Sequence, residues 1–118
     1  MSVAHDLNAL EEQKRKEAAL KIVNDAAHRL SRMRHHTRLI EAGDVAAWDE
    51  AAAFAHEMIR AGTTHELGLL VACAKEVLHF TARRIAAPYE PNLVLYLLSG
   101  LDTLAMELER LRHDRDLR

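Results

Sequence analysis

This chain predicts an all-α fold, an antiparallel up-down-up-down four-helix bundle with an N-terminal helical extension, and three observations carry the prediction. Apolar residues make up 49% of the 118 residues and aromatics only 4%, a balance that favours helices packed through Leu, Ala and Val over sheets. Apolar positions recur in alternating steps of three and four, the spacing of a single helix face. Punctuation at Gly43-Asp44, Gly62-Thr63, Pro88 and Pro91 divides the chain into helix-sized segments. Connections this short make successive helices antiparallel neighbours.

The extension comes first. Val3, Leu7 and Leu10 make a small stripe, after which the run Glu11-Glu12-Gln13-Lys14-Arg15-Lys16-Glu17 has no apolar face, although its residues are good helix formers. Residues 1–18 form this extension, and 4–18 therefore read as helix that overhangs the bundle or docks on a partner, with a short separate helix as the alternative. Residues 19–118 make up the bundle. Ala19, Val23, Ala26, Leu30, Met33, Thr37 and Ile40 lie on one stripe of a first helix over 19–40. Gly43 ends it, Asp44 suits the N-cap of a helix over 45–61, and Gly62 supplies the stop. Thr63 and Glu66 have the spacing of a capping box opening a third helix to about Ala87. Pro88 forbids its continuation, and Pro91 suits the first turn of a fourth helix ending near His113.

Helical-wheel positions sort the faces. In 45–61 the apolar arc holds Val45, Trp48, Ala51, Ala52, Phe54, Ala55, Met58 and Ile59, and the opposite arc holds Asp49, Glu50, His56, Glu57 and Arg60. The third helix buries Leu67, Leu70, Val71, Ala74, Val77, Leu78 and Ile85. The fourth buries Leu93, Val94, Leu97, Leu98, Leu101, Leu104, Leu108 and Leu111. Leu69, Cys73, Phe80, Leu95 and Met106 fall off these stripes, where they broaden the core or are scattered surface apolars, or else form a self-association patch. The self-association patch predicts a homodimer.

Composition also bounds the function. One domain of this length buries a core without disulfide or metal staples. The formal charge of −2 gives no field that recruits nucleic acid, so nucleic acid is not an expected partner. Arg29, Arg32, Arg34 and Arg38 do make a local basic face on the first helix, which is either solvated or docks an acidic protein surface or a phosphate backbone, the last keeping nucleic-acid binding as a minor reading. Cys73 is the only cysteine, which excludes an intrachain disulfide and a thiolate zinc cluster and fits a reducing cytoplasm. The apolar stretches 67–74 and 93–98 fall short of the ~20 residues that span a bilayer, and residues 1–6 lack the layout of a signal peptide. The expected location is cytoplasmic, with no membrane contact. Glu76 and His79, like Asp25 and His28, have the Glu-x-x-His type of spacing, but both pairs face outward and no His-x-x-x-His pattern occurs. No metal and no cofactor are expected.

Of the eight histidines, His56 has the setting that chemistry needs. It lies at the edge of the polar arc, with Asp49 two turns before it, Arg60 one turn after it, and small Ala52 and Ala53 beside it. A phosphate-accepting histidine must expose one ring nitrogen to its donor, and a nearby cation stabilises the transferred group. The plainer reading is a solvated surface histidine. His28 and His35 fall on the outer face of the first helix, His79 opposite the buried stripe of the third, His65 in the first turn of that helix, and His5 and His113 near the termini. Arg60 and His65 also have the Arg-x4-His spacing of helical endoribonucleases, a pattern short enough to arise by chance.

Four motifs point to a family: Leu39-Ile40-Glu41-Ala42-Gly43-Asp44 before the second helix, Ala55-His56 late in it, Leu67-Gly68 opening the third, and Leu98-Ser99-Gly100-Leu101-Asp102-Thr103-Leu104 in the last. In these the chain, from about residue 20 to 112, resembles the histidine-containing phosphotransfer (HPt) domain, including the version that opens chemotaxis kinases. The resemblance implies a four-helix bundle that relays phosphate between receiver domains through one exposed histidine, His56, without catalysis of its own. The family motif His-x-Leu-Lys-Gly is altered here. Met58 stands at the Leu position, Ile59 at the Lys and Arg60 at the Gly, while Leu67-Gly68 arrives two residues late. Arg60 would then take over the role of the cation. The alternative is a non-enzymatic helical adaptor or inhibitor acting through protein contacts or self-association.

Overall fold

The computed structural model describes residues 3–35, 37–86, 90, 92–114 and 117. Their regular structure is helical, with no strand among the described residues: α1 (Val3–His35), α2 (Thr37–Glu41), α3 (Val45–Thr64), α4 (Gly68–Ala86) and α5 (Leu93–Arg112). Pro88 and Pro91 lie outside the described residues.

With neither Gly nor Pro before Gly43, the good helix formers of 11–17 let one 33-residue helix run through the extension and into the bundle. At 1.5 Å per residue it is about 50 Å long, and the molecule measures 64 Å along its longest axis against 25 and 19 Å across. Residues 6–15, 17 and 18 are exposed, and Ala19 is the first buried one. Arg15 and Lys16 line a cleft with Thr64, His65 and Glu66 at the end of α3.

The residues expected to be helical over 19–40 are helical in α1 up to His35 and in α2 from Thr37, and residue 36 lies outside the described residues. Ile40 is buried, and its carbonyl accepts a hydrogen bond from Trp48 Nε1–H at 3.1 Å, which ties this end to α3. Gly43 closes α2 as expected. Its φ of +75° is the left-handed conformation glycine adopts freely, and it lets the Gly43 and Asp44 amides reach back to the Ile40 and Leu39 carbonyls at 3.1 and 2.9 Å. Asp44 then accepts from the Ala47 amide at 3.0 Å, capping α3.

The expected stop at Gly62 and the Thr63/Glu66 capping box are both corrected. α3 continues to Thr64, and the Thr63 and Thr64 hydroxyls donate back to the Ile59 and Arg60 carbonyls at 2.7 and 3.0 Å instead of capping α4. The left-handed residue here is Glu66, at φ 57°. The Leu67 amide bonds to the Gly62 carbonyl at 2.7 Å and the Glu66 amide to the Thr63 carbonyl at 3.4 Å, the pairing of a Schellman motif. His65 is accordingly the C-cap of α3 and not a first-turn residue of α4. Packing explains the glycine at 62: a Cβ there would stand 2.7 Å from Val71 Cγ2 and 3.3 Å from the Leu67 carbonyl oxygen.

The helices assemble into a bundle through α3 against α4, α4 against α5 and α1 against α5, with lighter contact between α1 and α3. Gly62 meets Val71 at one end of the α3–α4 seam, and Arg84 covers Trp48 at the other. Gly100 of α5 faces Val77 and Phe80 of α4, and Phe80 stacks on Tyr96 with centroids 5.7 Å apart. Arg112 donates to Asn24 at 3.0 Å and Arg34 pairs with Asp102 at 2.6 Å, joining α1 to α5. Along the α3–α4 and α1–α5 seams these contacts step backward on one helix as they step forward on its neighbour.

Val23, Leu30, Phe54, Leu70, Val77, Leu97, Leu101, Leu104 and Leu108 are fully buried at the centre. Among the described residues of the stripes expected on α3, α4 and α5, two are exposed instead. Val45 is 63% exposed and Ile85 89%, because each sits at a helix end, where the apolar stripe runs past the core. Of the five off-stripe residues, Cys73 is buried and Phe80 packs against the core, while Leu69, Leu95 and Met106 stay exposed.

Candidate functional site: the α3–α4 groove

Asp49, Ala52 and His56 fall on one face of α3 because they are spaced three and four residues apart. Across from them stand Leu78, Ala82 and Ile85 of α4, and between the two rows runs an open groove of about 530 Å³. His56 is exposed, Ala52 half-buried and Asp49 exposed. Neither His56 nor Asp49 has a hydrogen-bond or ion-pair partner among the described residues. The ring nitrogens are therefore open to an incoming ligand.

One end of the groove is rigid. Arg84 of α4 donates to the Gly43 carbonyl and lays its guanidinium over the Trp48 ring at 4.9 Å, an attraction between a cation and the ring's negative face. Trp48 is itself held by its bond to Ile40. The walls beside this cluster are apolar and exposed, Val45 on one side and Ile85 on the other. Glu57, next to His56, turns away from the groove and pairs with Arg29 of α1, which also lies over Phe54 at 5.2 Å.

The groove thus brings together three of the residues singled out in the sequence: His56, Asp49 and Ala52. Ala53 and Arg60 share the exposed side of α3 but lie outside the groove lining. Arg84, the fixed cation of the groove, was not singled out, nor were Val45 and Ile85, both assigned to buried stripes. No signal within α4 marks Arg84, since its partners are 36 and 41 residues away in the chain.

Other reactive groups are engaged elsewhere. Within the basic run, Arg29 and Arg34 are tied to Glu57 and Asp102, while Arg32 and Arg38 remain exposed. His79 is exposed, edge-on to Phe80 at 5.6 Å, and His113 pairs with Glu109 at 2.9 Å. Glu107, 5% exposed, is held by Arg110 Nε at 3.1 and 3.0 Å. Burial pushes the Cys73 thiol up, and the Glu107 and Glu76 carboxylates add to the shift. Among the described residues no group of three or more His, Cys, Asp or Glu side chains is placed to hold a metal ion, and no helix is long and apolar enough to cross a membrane.

No family model, curated protein or solved structure matches the chain.

Proposed function

We propose that this protein is a small signalling module of the phosphotransfer type, in which His56 accepts a phosphoryl group from a phosphorylated receiver domain docked over the α3–α4 groove. The observation that supports this reading best is His56 itself: an exposed imidazole beside a small residue, without a competing partner among the described residues, in an open groove with apolar walls. In the transfer, the lone pair of the neutral ring attacks phosphorus in line. The P–N bond forms as the P–O bond of the receiver's acyl phosphate breaks, and the released carboxylate keeps the electron pair. Arg60, one turn further along α3, supplies positive charge toward the transferred group. The receiver brings the activated phosphate, so the module needs no cofactor and is not an enzyme in its own right. Such a relay operates in the cytoplasm.

The test is direct. Phosphoramidate, or a phosphorylated receiver domain, gives an acid-labile adduct that mass spectrometry places on His56. His56→Gln abolishes the adduct and shifts stability by less than about 0.5 kcal/mol, as surface changes do.

The exposed Val45 and Ile85 favour a second reading, a non-enzymatic adaptor or inhibitor, because they offer apolar contact whether or not phosphate is present. An adduct that never forms, or that persists on another histidine after His56→Gln, leaves the adaptor as the better account.

A further inference from the structure

The face that α1 turns toward the bundle continues past the core. Arg15 and Lys16 stand four and three residues before Ala19, the first buried residue of the helix, and so fall on its side of α1. There they meet the turn between α3 and α4, where Arg15, Lys16 and Ala19 line a cleft of about 370 Å³ with His65, Glu66 and Leu117. Arg15 is exposed, while Lys16 and His65 are half-buried. Basic groups at the C-terminal end of a helix ordinarily serve its free carbonyls. Here the chain has already satisfied them. The Thr63 and Thr64 hydroxyls donate to the Ile59 and Arg60 carbonyls, and the His65, Leu67 and Glu66 amides donate to those of Ala61, Gly62 and Thr63. The side chains of Arg15 and His65 have no hydrogen-bond or ion-pair partner among the described residues. Lys16 approaches Glu12 at 3.7 Å, beyond hydrogen-bond distance, so its ammonium hydrogens stay available.

We infer that this cleft binds a small phosphomonoester, its phosphoryl group held by Arg15, Lys16 and the His65 imidazole and its organic part lying against Ala19 and Leu117. A guanidinium can bond two phosphate oxygens at once, an ammonium adds a compact charge, and a ring N–H supplies a further donor. Two cations and an imidazole face the carboxylate of Glu66 across the lining, an excess that suits a dianion. Leu117 packs against the core and gives the cleft an apolar side, and the volume falls within the range of small-molecule sites. The cleft shares no lining residue with the α3–α4 groove. Binding here is reversible and stands whether or not His56 accepts phosphate.

The experiment is isothermal titration calorimetry on the full chain at low salt, with phenyl phosphate, inorganic phosphate and benzoate as probes. Phenyl phosphate is expected to saturate one site and to bind about tenfold more tightly than inorganic phosphate, which lacks the organic part, or benzoate, which carries less charge. Arg15→Gln and His65→Ala each weaken phenyl phosphate about tenfold, by removing a charge-assisted bond. Glu66→Gln tightens it about threefold, because a like charge leaves the lining. Lys14→Gln, on the side of α1 away from the cleft, leaves binding unchanged and so separates a built site from diffuse attraction to a basic helix. Circular dichroism verifies that each variant keeps its helices. An absence of saturable phenyl phosphate binding overturns the inference. So does binding that Arg15→Gln and His65→Ala leave intact, or that Lys14→Gln weakens equally. Benzoate bound as tightly overturns the assignment of a phosphoryl group, and inorganic phosphate bound as tightly overturns that of an ester.

Discussion

Gly62 and Val71 meet across the turn between α3 and α4 so closely that a Cβ on Gly62 would stand 2.7 Å from Val71 Cγ2. Helix propensity and packing make opposite predictions for Gly62→Ala. Alanine in a helix interior gains about 1 kcal/mol over glycine, whereas forcing a methyl into a filled contact costs about 1–3 kcal/mol. The backbone carbonyl of Leu67, 3.3 Å from the same point, cannot rotate aside, so packing should win and the variant should lose about 1 kcal/mol. Urea melts check this. Val71→Ala in the same chain should cancel much of the clash, giving a coupling that a double-mutant cycle detects.

Glu66 adopts a left-handed conformation that an L side chain populates at a cost of roughly 1–2 kcal/mol. Glu66→Gly should relieve that cost, less the extra chain entropy glycine loses on folding, for a net gain of about 0.5–1 kcal/mol. Gly43→Ala should move stability the other way by about 1 kcal/mol, since Gly43 is left-handed at φ +75°. Thermal melts that ranked the two variants in the opposite order would contradict the assignment of these turns.

Leu101 is fully buried mid-way along α5. Leu101→Ala should cost about 2–5 kcal/mol, combining lost transfer energy with the cavity left behind. His79→Ala, on the exposed side of α4, should change stability by less than about 0.5 kcal/mol. Denaturant midpoints of the two variants decide between core and surface placement.

Burial, then the negative charge of Glu107 and Glu76, holds the Cys73 thiol protonated above its ordinary range. A thiol reagent at pH 8 should modify the native chain slowly and the urea-unfolded chain rapidly, because the thiolate is the nucleophile. The same shift links stability to pH. Below about pH 8.5 the thiol is neutral in both states and imposes no penalty. As pH rises from there toward the higher folded-state value, the unfolded thiol ionises while the folded one stays protonated, so stability falls. Cys73→Ala should remove that component of the alkaline loss in urea titrations at pH 7 and 9.5.

Helix period is a local property, and it made the stripes from Val23 to Met33 and from Leu93 to Leu111 legible before any packing is considered. The turn at Gly43-Asp44 was legible for the same reason, since a left-handed glycine and an aspartate cap act on their own backbone neighbours. Local signals failed where one residue type serves two physical purposes. A glycine marks either a turn or a close approach, and only Val71, on another helix, shows that Gly62 serves the second. With that position helical, the turn fell to Glu66. The same limit held for Val45 and Ile85, whose apolar character predicts burial although neither helix end lies over the core.

The sequence by itself determined the all-helical class, the buried stripes and the exposure of His56, because each follows from side-chain chemistry repeated at 3.6 residues per turn. Tertiary structure alone decided what surrounds that histidine. Packing α3 against α4 set Leu78, Ala82 and Ile85 along the groove that His56 lines and drew Arg84 onto Trp48 and Gly43. Contacts between residues so far apart in the chain depend on how two helices seat against each other, and no periodicity within either one encodes that.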